Sequence, residues 1–88
     1  MVEKVYTITS DAGLHARPST TLVSSITPFE SEVSLEYKDK VVNLKSIMGV
    51  MSLGIPKGAN VKITANGDDE SKVIAIIDDV MKKEGLAV

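Results

Sequence analysis

From Val2 to Thr9 the chain alternates, with Lys4, Tyr6 and Ile8 on one face and Val5, Thr7 and Thr9 on the other. This period of two predicts a strand, closed by Asp11-Ala12-Gly13. From Ala16 the period changes. Leu22, Val23 and Ile26 fall on one helical face, and Pro28 stops the helix near Thr27. Pro18 is compatible with that helix because first-turn N–H groups have no intrahelical acceptor. Val33, Leu35 and Tyr37 then alternate with Glu32, Ser34 and Glu36, a half-buried strand with one wet face. Lys38-Asp39-Lys40 reads as the turn of a hairpin whose return strand is Val41 to Leu44. Ser46 is placed to cap a short helix from Ile47 to about Leu53, with Gly54 as its left-handed stop. After Pro56-Lys57-Gly58, a fourth strand places Val61, Ile63 and Ala65 on one face. The last helix carries the stripe Val73, Ile74, Ile77, Val80 and Met81. Asp68, Asp69 and Glu70 lie at its positive start, Lys82 and Lys83 in its last turn, and Gly85 beyond. The order β-α-β-β-α-β-α predicts an α+β open-faced β-sandwich: a four-stranded, mainly antiparallel sheet with three helices on one face. Residues 1–88 are expected to form a single domain.

Composition narrows the function. Ten Lys+Arg against twelve Asp+Glu give a net charge of −2, without the clustered cations that phosphate-backbone affinity requires, so direct nucleic-acid binding is not expected. Three aromatics are too few for a base-stacking platform. With no cysteine, disulfides, thiolate metal sites and a thiol nucleophile are ruled out. The N-terminal residues lack a basic region followed by an apolar run, and no stretch approaches the ~20 apolar residues of a membrane span. A cytoplasmic protein without membrane insertion is expected.

The single histidine, His15, lies in Gly13-Leu14-His15-Ala16-Arg17-Pro18. If the helix starts at Ala16, His15 is its N-cap, and the backbone N–H groups of Ala16 and Arg17 face its surroundings. Such a terminus carries roughly +0.5 of a charge and favours bound phosphate. A neutral imidazole there has a nitrogen lone pair free to attack phosphorus. Arg17 can hold phosphate oxygens with its guanidinium. An isolated histidine is more often an ordinary surface residue, but His-x-Arg-Pro at a helix start favours function. One histidine without clustered carboxylates cannot complete a metal's ligand set, so no metal is expected. Asp11 is near in sequence, yet no serine or oxyanion loop completes a triad.

Ser46 needs no function beyond capping. A phosphate there would nevertheless sit at a helix N-terminus, where its charge is tolerated, and could act by repelling or recruiting partners. Ile47, Met48, Val50, Met51 and Leu53 make the short helix apolar nearly all round. Packing Ile47, Val50 and Leu53 inward leaves Met48 and Met51, neighbours at i and i+3, as an adaptable docking patch.

The segments Gly13 to Pro18 and Lys45-Ser46-Ile47-Met48-Gly49-Val50-Met51-Ser52-Leu53-Gly54 resemble the two signature segments of the HPr family. These are the histidine-containing phosphocarriers of the bacterial sugar phosphotransferase system. The resemblance covers essentially the whole chain, and the Ser46 segment is similar to that of low-GC Gram-positive bacteria. It implies an HPr-like domain that is a covalent phosphoryl carrier without a cofactor, not an independently turning-over enzyme. His15 would accept phosphate, on Nδ1 in this family, from phospho-enzyme I and pass it to IIA domains of sugar permeases, with Arg17 holding the group. Ser46 would be modified by HPr kinase/phosphorylase from ATP, slowing phosphorylation of His15 and favouring a catabolite-control repressor. Thr20, Ile47, Met48, Gly49 and Met51 fall where the family docks partners. A departure is Ala12, where the family usually has Ser or Asn. His15 excludes the regulatory homologue with glutamine at that position. The Lys45-Ser46-Ile47-Met48 segment disfavours the nitrogen-related paralogues. A carrier presenting one face to several partners is most simply a monomer. The alternative from a different class is a non-catalytic binding module, controlled by phosphorylation of Ser46, in which His15 is idle.

Overall fold

The alternating runs become four strands in the computed structural model, which describes residues 1–88: β1 (Val2–Thr7), β2 (Glu32–Tyr37), β3 (Lys40–Asn43) and β4 (Asn60–Asn66). The 3.6-period runs become α1 (Ala16–Ile26), α2 (Ile47–Ser52) and α3 (Glu70–Lys83). The strands pair in the order β1-β4-β2-β3, and every pairing is antiparallel. Tyr6, Val33, Leu35, Val61, Ile63 and Ala65 point to the helix-covered face and are nearly inaccessible. They join Leu22, Ile26, Val50, Val73, Ile77 and Met81 in one aliphatic core. On the open face Lys62 sits between Glu3 at 3.1 Å and Glu36 at 3.8 Å. Solvent screens that bridge, so it adds little to stability.

Two boundaries and one burial differ from the sequence expectation. β1 ends at Thr7, not Thr9, because Ile8 changes partner: its N–H donates to the Ala59 carbonyl and it bridges to Ala87. The hairpin turn is Lys38-Asp39 alone. Both residues have positive φ, 47° and 66°, as a two-residue primed turn requires, which leaves Lys40 paired with Tyr37 in the ladder. Ile47, expected to pack inward with Val50, is 38% exposed, whereas Val50 is buried and Leu53 half-buried. Val50 is the one buried residue of α2.

The α1–β2 connection is latched to the start of α3. The Asp69 carboxylate accepts from the backbone N–H groups of Glu30 and Ser31, each at 3.0 Å, and from the buried Ser31 hydroxyl. The Ser31 hydroxyl, helped by the backbone donors, holds the Asp69 carboxyl below its usual range. On the sheet side, Asp78 accepts from Lys4, Lys82 and the Tyr6 hydroxyl, and the lysines hold its carboxyl low. Burial pushes the Tyr6 phenol up, and the Asp78 carboxylate adds to the effect.

A carboxyl whose pKa falls on folding stabilises the native state above its unfolded value and loses that contribution as pH drops through the folded value. Thermal stability is therefore expected to hold above about pH 5 and to decline steadily below pH 4. Asp69→Asn should melt lower at neutral pH and show a shallower acid decline. Melting curves across that range check this, and an unchanged acid slope would remove Asp69 from the account.

Candidate functional site

His15 precedes α1 in an extended conformation, φ −84° and ψ −176°, and its side chain makes no capping hydrogen bond. The first backbone bond of the helix runs from Ser19 N–H to the His15 carbonyl at 3.1 Å. Pro18 has no N–H, so those of Ala16 and Arg17 are left without an acceptor in the helix. His15, Ala16 and Arg17 are all exposed. Arg17 forms no ion pair.

The loop presenting His15 is fixed on both sides. Leu14 is buried, its N–H donates to the Ile55 carbonyl at 3.0 Å, and its carbonyl accepts from the Ser19 hydroxyl at 3.3 Å. Gly13 turns the chain at φ +69° so close to Ile55 that an added Cβ would lie 2.1 Å from its carbonyl oxygen. The nucleophile candidate thus stands on a clamped backbone while its ring faces water, the combination phosphoryl acceptance needs. Asp11, considered as a triad partner, is committed to Lys57 at 2.8 Å, and that lysine's hydrogen bond and charge hold its carboxyl low.

A shallow cavity of about 140 Å³ brings His15 and Arg17 together with Ser10, Pro18, Glu84 and Leu86. Sequence reasoning missed Ser10, Glu84 and Leu86. The C-terminal segment delivers the last two by pairing with the end of the first strand: Thr9 and Ser10 N–H groups both donate to the Leu86 carbonyl. A larger cavity of about 530 Å³ lies on the β2–β3 side, bounded by Glu32, Ser34, Asn43 and Asn66, and contains none of the predicted site residues.

Ser46 caps α2 as expected, its Oγ accepting from Gly49 N–H at 3.1 Å. Gly49 earns its place by proximity, since a Cβ there would meet Ser46 Oγ at 3.3 Å and the Val42 side chain at 3.4 Å. Ser46 does not line the cavity that holds His15. The Lys45 ammonium reaches the Phe29 carbonyl beyond the end of α1, whereas His15 precedes its start. Thr20 is exposed on α1, its hydroxyl donating to the Ala16 carbonyl. On the adjoining α2, Met48 is 83% exposed and Ile47 and Met51 just under two-fifths.

A family model described as the PTS HPr component phosphorylation site matches residues 2–83. The chain is similar in structure to the histidine-containing phosphocarrier protein of Mycoplasma, at 35% identity over 98% of both chains with a TM-score of 0.95. It is similar to HPr of Thermoanaerobacter tengcongensis at 42% identity, 96% of this chain, 94% of the other and a TM-score of 0.90. A third similarity is to Crh, a Bacillus subtilis catabolite-repression protein that forms a domain-swapped dimer: 37% identity, 96% and 97% coverage, TM-score 0.74.

Proposed function

The chain belongs to the HPr family of phosphocarriers of the phosphotransferase system, and from that premise we propose that His15 is its phosphoryl acceptor, charged by enzyme I and discharged to IIA domains of sugar permeases in the cytoplasm. The observation that carries this reading is the exposed, unpartnered His15 ring at the start of α1, sharing one cavity with the unpaired Arg17.

The His15 lone pair attacks phosphorus in line with the donor. The N–P bond forms as the bond from phosphorus to the donor breaks, its electron pair leaving with the donor. Arg17 and the two free N–H groups receive charge on the phosphoryl oxygens. Arg17→Ala should slow transfer roughly tenfold to a hundredfold, the worth of one charge-assisted contact, with the melting temperature retained. Unchanged transfer kinetics would make Arg17 a surface charge only.

Ser46 is assigned to regulation by HPr kinase/phosphorylase and a catabolite-control repressor, and Thr20, Ile47, Met48, Gly49 and Met51 to the docking surface. Gly49 contributes backbone and close packing there, not a side chain. Ser46 does not line the cavity that holds His15, so its charge is assigned an effect on the incoming partner. Ser46→Asp should slow acceptance from enzyme I by roughly tenfold or more, because like charges juxtaposed in a docked interface cost several kcal/mol. Spontaneous hydrolysis of the phosphohistidine should stay at the wild-type rate. An unaltered acceptance rate would defeat the switch.

The test of the whole reading is incubation with labelled phosphoenolpyruvate and purified enzyme I. Acid-labile, alkali-stable incorporation supports the carrier. No incorporation into a chain shown folded by circular dichroism would leave the binding module, with Ser46 as its signal and the exposed Met48 and Met51 as its contact, as the better account.

A further inference from the structure

We propose that Ser10 is a phosphoryl-binding residue of this site, its hydroxyl donating to an oxygen of the group carried on His15. The proposal rests on the carrier reading and deepens it. Ser10 is the one hydroxyl among the residues lining the cavity that holds His15 and Arg17. It is half-buried, and its Oγ forms no hydrogen bond within the protein, although many other serine and threonine hydroxyls here bond to nearby carbonyls. Its backbone is held on both sides: the N–H donates to the Leu86 carbonyl at 3.3 Å and the carbonyl accepts from Gly13 N–H at 2.9 Å. The same Gly13 is wedged against Ile55, so the strand end carrying Ser10 and the loop carrying His15 form one rigid frame.

A phosphoryl group on His15 brings three charged oxygens into this cavity. Arg17 and the N–H groups of α1 approach from the helix side. Glu84, also in the lining, is an acceptor and repels it. Ala12, exposed in the adjacent turn, offers no polar side chain. Ser10 is therefore the uncharged side-chain donor available from the strand side. It keeps its proton throughout and supplies a hydrogen bond to a charged acceptor, a contact stronger than one between neutral groups. The competing account, a solvated hydroxyl at a strand end, assigns it no effect on phosphorylation.

The experiment measures the equilibrium distribution of phosphate between enzyme I and the full chain at fixed phosphoenolpyruvate and pyruvate, together with the ³¹P shift and hydrolysis rate of the phosphohistidine. For Ser10→Ala the transfer equilibrium constant is expected to fall roughly tenfold, with a moved ³¹P resonance, faster hydrolysis and an unchanged melting temperature. Ser10→Thr, which keeps the hydroxyl, should stay within about twofold of wild type on the same argument. A wild-type equilibrium and resonance in Ser10→Ala would overturn the assignment of Ser10 and leave the carrier standing. Equal impairment in both variants would trace the effect to packing of the loop and overturn it as well. A wild-type chain that accepts no acid-labile phosphate overturns the carrier reading and this proposal with it.

Discussion

His15→Ala is expected to reduce acid-labile phosphate incorporation to background while leaving thermal stability within the scatter of wild type. The two halves of that expectation have separate physical sources. Loss of function is complete because the sequence has no second histidine and no cysteine, so no other nitrogen or sulfur nucleophile of comparable chemistry can take the phosphoryl group. A phosphate placed on a serine, threonine or tyrosine instead would be acid-stable and distinguishable by that test. Retained stability reflects how little the ring contributes to the fold. It makes no capping bond and is exposed, and the bond from Ser19 N–H uses the His15 carbonyl, which alanine keeps. Alanine normally costs about 1 kcal/mol at a helix N-cap because it removes a side-chain acceptor; here no such bond exists to be lost. Incorporation that survived in His15→Ala with the same acid lability would refute the assignment of His15. A large fall in melting temperature would mean the imidazole has a structural role that the geometry does not show.

Much of the fold and half of the lining of the candidate site were legible in the sequence, for physical reasons. Periods of 2 and 3.6 report which face of an element is buried, and β2, β4, α1 and α3 are visible in them because each has one dry side, whereas β3, with no buried residue, follows from its turn and α2 from its cap. His15 and Ser46 were legible because a cap is a local event: the residue before an apolar helical run, with Pro18 or Gly49 shaping the first turn after it. The features that escaped depend on segments distant in sequence. Glu84 and Leu86 join the site only because Ala87 pairs with Ile8, and nothing in Lys83-Glu84-Gly85-Leu86 announces that partner. The exposure of Ile47 escaped for a related reason. An apolar residue on a short helix reads as core until the packing of α2, which buries only Val50, is known. The distance separating Ser46 from His15 likewise depends on how α1 and α2 lie against each other, which neither motif contains. The motifs identify which groups could react; the long-range pairing decides what surrounds them.

Gly13 is where local motif and long-range packing meet, and Gly13→Ala is expected to be the most damaging small change to the fold near the site. Two costs add. The residue sits at φ +69°, a left-handed conformation that costs an L side chain about 1 kcal/mol. In addition the new Cβ would lie 2.1 Å from the Ile55 carbonyl oxygen and 2.9 Å from Pro56 Cα, both of them backbone atoms. No rotamer change relieves such a contact, so one loop must move away from the other, and the Leu14 N–H bond to that same Ile55 carbonyl goes with it. Together these should remove about 3–5 kcal/mol, a large share of what a domain of this size has. Gly54→Ala separates the terms, because Gly54 has φ +57° but nothing within 4 Å of its added Cβ, so it should lose only about 1 kcal/mol. Denaturant unfolding of the pair checks the difference, and equal losses would show that the approach to Ile55 is not what holds this loop. In whatever fraction of Gly13→Ala remains folded, the His15 loop must be displaced from Ile55. Its transfer rate per folded molecule should therefore fall, although no atom of the reacting groups has been changed, and a wild-type rate per folded molecule would mean that the clamp stabilises the chain without positioning the imidazole.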